Sequence, residues 1–302
     1  MQVKIDGVEA KLPDFLIVGA AKSGTTSLYA YLQQHPQIFM SANKEPCFFT
    51  FAGLNRDKVD MYNRLDIVSD FSIYTDLFSG AGGSQVAGEA STTYLYSYEE
   101  TIRNIKKYHP GWEKLKIIII LRDPAERAFS HYLTDSARGL DMSFGEVIEK
   151  WKLRQLPEYY NYIDYGFYYR QVKSYKDNFR HVCVYLFEDL EANSRKFVQN
   201  VLEFLGVDTS FNIETGVKYN VSLNSENRLL SKLIYKPNLF KWIFKALAPK
   251  EVRQKIRNRI IDAFSRKPQL DSSHRKFLKE IYKEDILKLQ DLIQRDLTSW
   301  IN

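Results

Sequence analysis

The sequence predicts an α/β protein, with a mostly parallel central sheet flanked by helices and a helical carboxyl-terminal region, in one domain over residues 1–302. Three observations carry that expectation. Apolar runs rich in β-branched residues recur along the chain, each followed by a helical pattern, which is the alternation that builds βα units around a parallel sheet. The run Lys116-Ile117-Ile118-Ile119-Ile120-Leu121 has no polar alternation, so its strand is expected to be central and buried on both faces. A glycine loop, Gly19-Ala20-Ala21-Lys22-Ser23-Gly24-Thr25-Thr26, separates the first apolar run from the first helical pattern. Strand, glycine turn and helix start in that order make an anion cradle from backbone N–H groups and a helix N-terminus.

Taken in order, residues 1–13 are mixed polar, without the apolar stretch or small-residue cleavage site of a secretory signal. No run in the chain approaches the ~18 apolar residues of a membrane span. Cys47 and Cys183 are too few for a disulfide framework and lack metal-ligand spacing, so a reducing, cytoplasmic setting is expected. The first strand is expected at 15–18, Phe15-Leu16-Ile17-Val18, and the helix after the glycine loop at 25–34. A nucleotide-binding P-loop would place lysine directly after its second glycine. Here Thr25 holds that place and the lysine lies inside the loop, at Lys22. The domain is therefore P-loop-like, poorly built for a Mg-bound triphosphate, but able to offer amides, hydroxyls and one cation to a smaller, less charged anion.

Residues 51–84 form the longest irregular stretch, with Gly80, Gly82 and Gly83 near its end, a natural site for an acceptor-facing insertion. Further strands are expected at 85–89, 116–121 and 182–187. Helices are expected at 98–108, 124–137, 144–151, 166–178 and 194–205. The stretch 272–293 carries Phe277, Ile281, Ile286, Leu287, Leu289, Leu292 and Ile293 with charges between, an amphipathic stripe.

The formal charge of +6 is regional. Residues 218–267 hold thirteen Lys or Arg against three Asp or Glu, which leaves the rest of the chain net acidic. Aromatics interleave with lysines there, from Tyr235 to Lys245. A solvated helix face, an anionic ligand site and peripheral contact with a membrane surface all fit that pattern. No helix-turn-helix, zinc or RNP signature accompanies it, so nucleic acid is not expected as a partner.

The most buried strand ends in Arg122, followed by Asp123-Pro124-Ala125-Glu126 and, two helical turns on, Ser130. Ligands of open α/β sheets bind outside the carboxyl ends of the strands. In an NTPase this strand would end in an acidic residue that handles Mg²⁺. An arginine there can instead fork onto a phosphate dianion, with the Ser130 hydroxyl beside it. Pairing of Arg122 with Asp123 or Glu126 is the structural alternative.

These residues resemble the sulfotransferases that use 3'-phosphoadenosine 5'-phosphosulfate (PAPS). Residues 15–19 with Lys22-Ser23-Gly24-Thr25-Thr26-Ser27-Leu28 are similar to the family's 5'-phosphosulfate loop. Leu121-Arg122-Asp123-Pro124 with Ser130 is similar to its 3'-phosphate site, about a hundred residues on. Asn43-Lys44-Glu45-Pro46-Cys47-Phe48-Phe49 resembles a lysine-glutamate-aromatic motif of the heparan sulfate and related carbohydrate branches. The resemblance reaches Asn220-Val221-Ser222, Arg228-Leu229-Leu230 and the closing Arg295 to Trp300, so it covers most of the chain.

The resemblance implies transfer of a sulfuryl group from PAPS to a hydroxyl or amino group of a sugar, glycolipid or related metabolite, with no metal required. An anionic or lipid-linked glycan would suit the basic aromatic region. Lys22 would serve the bridging and leaving oxygen. Ser23, Gly24, Thr25 and Thr26 would hold the 5'-phosphate, and Arg122 and Ser130 the 3'-phosphate. Lys218 would belong to a loop that closes over the nucleotide. For the base that takes the acceptor proton, Glu45 ranks first, ahead of His131 and Glu89. Members that act on phenols and steroids use a histidine, so the identity of the base bears on the acceptor. Two other classes remain open: a P-loop kinase or NTPase, and a noncatalytic anion or glycan binder.

Overall fold

A computed structural model describes residues 2–5, 8–54, 67–157, 160–216 and 268–302. Lys218 and the basic aromatic stretch 218–267 lie outside the described residues. The core is a five-stranded sheet with the order β4-β5-β3-β6-β7. Its strands are β3 (Phe15–Gly19), β4 (Ile38–Met40), β5 (Val86–Ala90), β6 (Lys116–Leu121) and β7 (His181–Leu186). Every neighbouring pair is parallel. A separate antiparallel hairpin, β1 (Gln2–Ile5) with β2 (Val8–Lys11), precedes it; the mixed polar sequence there gave no sign of strands.

Both faces of the sheet are covered, which is why β3 and β6 read as continuous apolar runs. On one face Leu16, Val18, Ile117, Ile119 and Leu121 pack with α4 (Thr93–Tyr96), α5 (Tyr98–Tyr108), α6 (Pro124–Arg138), α7 (Phe144–Lys152) and α8 (Tyr168–Asn178). The long α11 (Ser272–Ile293) closes this layer through Leu278, Tyr282, Ile286 and Leu289, the buried stripe of its amphipathic pattern. On the other face Phe15, Ile17, Ile118 and Ile120 meet α1 (Thr25–Leu32), α9 (Phe187–Ala192) and α10 (Ser194–Leu205).

The described part of the stretch expected to be one long irregular loop is more ordered than its composition suggests. It contains α3 (Phe71–Asp76), capped by the Asp70 carboxylate on the Ile73 N–H at 3.0 Å. Tyr74 and Phe78 are wholly buried, and Phe48 of α2 (Phe48–Phe51) stacks on Tyr74 with ring centroids 4.4 Å apart. Phe51, Tyr74 and Phe78 thus form part of the core.

From β3 the chain crosses to β4 and β5 on one side, while β6 lies on the other. Their carboxyl-terminal turns diverge, and the crevice at such a switch point is where α/β sheets take ligands. The glycine loop and Arg122 both open into it.

Candidate active site

The loop after β3 is tied to β6 at two points. The Ala20 N–H donates to the Ile120 carbonyl at 2.7 Å, and the Arg122 guanidinium donates to the Lys22 carbonyl at 3.2 Å. Sequence positions a hundred residues apart are thereby brought together. Gly24, at φ 88°, ends the loop as the N-cap of α1 and contributes no side chain to cap it. The amide groups of the first turn therefore face the crevice, as an anion site requires. A Cβ on Gly24 would lie 2.7 Å from the Leu190 side chain, and one on Gly19 would lie 2.6 Å from the Leu95 Cβ. Only glycine lets α9 and α4 close on the loop from either side.

Inside the loop, one buried hydroxyl is left without a partner. The Ser23 hydroxyl is buried and, among the described residues, has no hydrogen bond. Lys22 adopts a left-handed conformation, φ 68°. Burial lowers its ammonium pKa from the usual value to about 8, and Arg138, Arg122 and Lys44 push in the same direction while Asp135 opposes them. A buried lysine with three cations and one carboxylate acting on it is poised to receive a further anion.

Arg122 lies over the Phe187 ring, 4.8 Å from its centroid. Glu126 stands at 4.0 Å from it and is engaged more closely by Arg275, at 2.5 Å. The guanidinium is thus oriented by a carbonyl and a ring rather than neutralised by a close carboxylate. Asp123 instead caps α6, accepting from the N–H groups of Ala125 and Glu126 at 2.8 and 3.1 Å, with Pro124 opening the helix. Ser130 follows on the same helix, half-buried.

His131 sits among Tyr162 and Tyr165, at centroid distances of 4.9 and 5.7 Å. Its pKa is held well below the usual value by burial first, then by Arg127, Lys22 and Arg138. The Arg127 guanidinium approaches its Nδ1 at 3.4 Å. Because arginine can only donate, Nδ1 carries the lone pair and the neutral ring keeps its proton on Nε2.

Glu45 lies between β4 and α2. Its carboxylate accepts from the Lys44 ammonium at 2.6 Å and the Thr92 N–H at 2.7 Å, with the Thr92 hydroxyl at 3.1 Å. Its own N–H donates to the Ala90 carbonyl at 2.9 Å, holding a left-handed backbone at φ 66°. Glu89, by contrast, is wholly buried and accepts from three hydroxyls. Burial raises its pKa to about 7, against the lowering effect of those donors.

Sequence reasoning did not single out Thr92, Asp135 or Arg138. Thr92 gives no signal in sequence, since it matters through a tertiary contact. The other two leave one: Arg127, His131, Asp135 and Arg138 recur at helical spacing along one side of α6. Asp135 accepts from the Tyr162 hydroxyl at 2.9 Å and from Arg138 at 3.4 Å. Among the described residues no group of three or more His, Cys, Asp or Glu is placed to hold a metal ion, and no helix is long and apolar enough to cross a membrane.

Comparison with known proteins bears on the family and the fold. The family model described as "Sulfotransferase family" matches residues 13–211. The mouse (Mus musculus) bifunctional heparan sulfate N-deacetylase/N-sulfotransferase 3 is 25% identical over 307 residues, covering 96% of this chain and 31% of the relative. The human (Homo sapiens) carbohydrate sulfotransferase 15 is 28% identical over 151 residues, covering 40% of this chain and 27% of the relative. The chain thus spans less than a third of the length of either relative. The crystal structure of a sulfotransferase from Alicyclobacillus acidocaldarius superposes with a TM-score of 0.71 at 29% identity, covering 97% of this chain and 100% of that one.

Proposed function

The chain belongs to the sulfotransferase family, and from that premise we propose that it transfers a sulfuryl group from PAPS to a hydroxyl or amino group of a sugar-type acceptor by in-line displacement. The observation that carries this reading is the unsatisfied loop. A buried Ser23 hydroxyl without a partner, amide groups at an uncapped helix start and a lysine crowded by cations together call for an anionic group. The residues fit the 5'-phosphosulfate. Ser23, Gly24, Thr25 and Thr26 would bind its phosphate, and Arg122 with Ser130 would take the 3'-phosphate.

In this mechanism the acceptor oxygen or nitrogen bonds to sulfur while the bond from sulfur to the bridging phosphate oxygen breaks. The Lys22 ammonium stabilises the negative charge that gathers on that leaving oxygen. Glu45 takes the acceptor proton, so the products are a sulfated acceptor and adenosine 3',5'-bisphosphate. One cation and fixed amide groups supply much of the acceleration through positioning and charge stabilisation, by analogy with phosphoryl transfer. His131 is poorly arranged for the same task, because the nitrogen carrying its lone pair faces Arg127. Its Nε2–H is instead suited to donate to the acceptor.

The acceptor class follows from two supports. Relatives named for heparan sulfate N-sulfation and carbohydrate sulfation favour a sugar. Lys44 and Arg138, close enough to depress the Lys22 pKa, favour one that already bears an anionic group. Incubation with labelled PAPS and a panel of neutral sugars, anionic sugars, lipids and phenols tests this. Label on an anionic sugar is expected, and label on no hydroxyl or amine of the panel would overturn it.

A further inference from the structure

Glu89 is a buried carboxylate that the transfer step does not use. It lies on β5, wholly buried, and among the described residues it forms no ion pair with a cation. Three hydroxyls surround it instead. Tyr74 and Tyr94 donate to its Oε1 at 2.8 and 2.7 Å, and Ser91 donates to its Oε2 at 2.7 Å. Above its pKa of about 7 the carboxylate is ionised and can only accept, so each of these hydroxyls then points its proton inward. Two of them then present lone pairs outward. Ser91 Oγ accepts the Cys47 N–H at 3.0 Å, and the Tyr94 oxygen accepts the Phe49 N–H at 3.2 Å.

Those two amides lie at the start of α2, immediately after the Lys44-Glu45-Pro46 turn. That turn needs holding, because Glu45 and Cys47 are both non-glycine residues with positive φ, 66° and 56°. The β5 strand and the turn after it supply the hold: the Ala90 carbonyl accepts the Glu45 N–H, the Ser91 hydroxyl oxygen accepts the Cys47 N–H, and the Thr92 N–H donates to the Glu45 carboxylate. Leu95, a turn further on, closes on Gly19 of the glycine loop. One short stretch therefore fixes Glu45 on one side and touches the donor loop on the other.

We infer that Glu89 is the positioning residue for Glu45, acting through the inward-locked hydroxyls of Ser91 and Tyr94 on the backbone that carries Glu45. The inference rests on the sulfuryl-transfer reading only for its effect on turnover; the backbone effect stands apart from it. Tyr74 supplies an internal control. Its hydroxyl donates to Glu89 as that of Tyr94 does, and its ring is equally buried, but it receives no N–H from the Glu45 segment.

Glu89→Gln preserves shape and removes charge, and its amide NH₂ would force at least one hydroxyl to turn its lone pair inward. Amide hydrogen exchange of the 45–51 segment should then rise by about tenfold or more, as local opening becomes easier. Turnover should fall by about tenfold or more, while the dissociation constant of adenosine 3',5'-bisphosphate changes by less than about twofold. Tyr94→Phe should reproduce both effects in part, and Tyr74→Phe should leave both nearly at the parent level. Unchanged exchange in Glu89→Gln, or equal effects of the two tyrosine variants, overturns the inference. If the parent protein sulfates nothing, the exchange data still decide it, and only the proposed function falls.

Discussion

The turns that follow β3 and β5 leave the carboxyl ends of paired parallel strands, yet they treat their polar atoms in opposite ways. After β3 the loop keeps a buried Ser23 hydroxyl without a partner and a lysine among cations. After β5 the groups of Glu89, Ser91, Thr92 and Tyr94 are joined in one hydrogen-bonded set that reaches Glu45. Buried polar atoms are ordinarily paired, so a cluster left unpaired marks a place for a ligand, while a saturated cluster marks a place that must not move. In this protein one turn is built to receive and its neighbour to hold.

The largest effect should come from breaking what the second turn holds. Glu45→Gln keeps a similar shape and removes the basicity, so turnover should fall by about two to four orders of magnitude with donor binding intact. His131→Asn should cost much less, because the imidazole lone pair is already turned to Arg127. Single-turnover rates at saturating donor for both variants check this. A slow His131→Asn beside a fast Glu45→Gln would assign the base to the histidine and withdraw the argument for a sugar acceptor.

A smaller, divided effect should come from the first turn. Lys22→Ala removes a charge that matters most as the leaving oxygen becomes anionic, so it should lower turnover by about 10²–10³-fold and affinity much less. Arg122→Ala should do the reverse, weakening adenosine 3',5'-bisphosphate by about 2 kcal/mol, roughly thirtyfold, through loss of a charge-assisted pair. Calorimetry of both variants in the presence of chelator, set beside their turnover, separates the roles. Tight Mg-dependent ATP binding with no preference for a 3'-phosphate would instead favour an NTPase.

The two turns also differ in how much of them the sequence discloses. Lys22 and Arg122 are legible because each follows a strand whose apolar run is unmistakable, and the observed β6 spans the expected residues. Strands β5 and β7 fall within a residue of expectation, since local periodicity defines them. The edge strand β4, with three residues, is too short to show a period, as are the four residues of α2 and of α4. The cage around Glu89 was hidden for a different reason. Tyr74 comes from a stretch whose glycines and polar residues read as loop, and nothing local tells that its hydroxyl will reach a strand carboxylate 15 positions away. Glu89 accordingly read as an eligible base, although its surroundings suit it to bracing Glu45.

The smallest effect tests the cost of keeping the first turn unsatisfied. Lys22 has a folded-state pKa of about 8 against an ordinary value of 10.5, so the folded protein binds its proton less readily than the unfolded chain does. Below pH 8 the fold holds a charge it disfavours, and that penalty is fully present; between 8 and 10.5 the unfolded chain binds the extra proton, and the penalty is relieved as pH rises. Lys22→Met keeps the aliphatic stem and removes the charge, so the ligand-free variant should melt higher than the parent at neutral pH, by roughly 2–4 °C for each kcal/mol of relief. The gap should narrow from pH 8 upward. Saturating adenosine 3',5'-bisphosphate should narrow the gap, because bound phosphate partly offsets the lysine charge in the parent and meets no such charge in the variant. If Lys22→Met melts below the parent without nucleotide at pH 7, the loop is held together by its lysine, and the contrast between a receiving turn and a holding one fails.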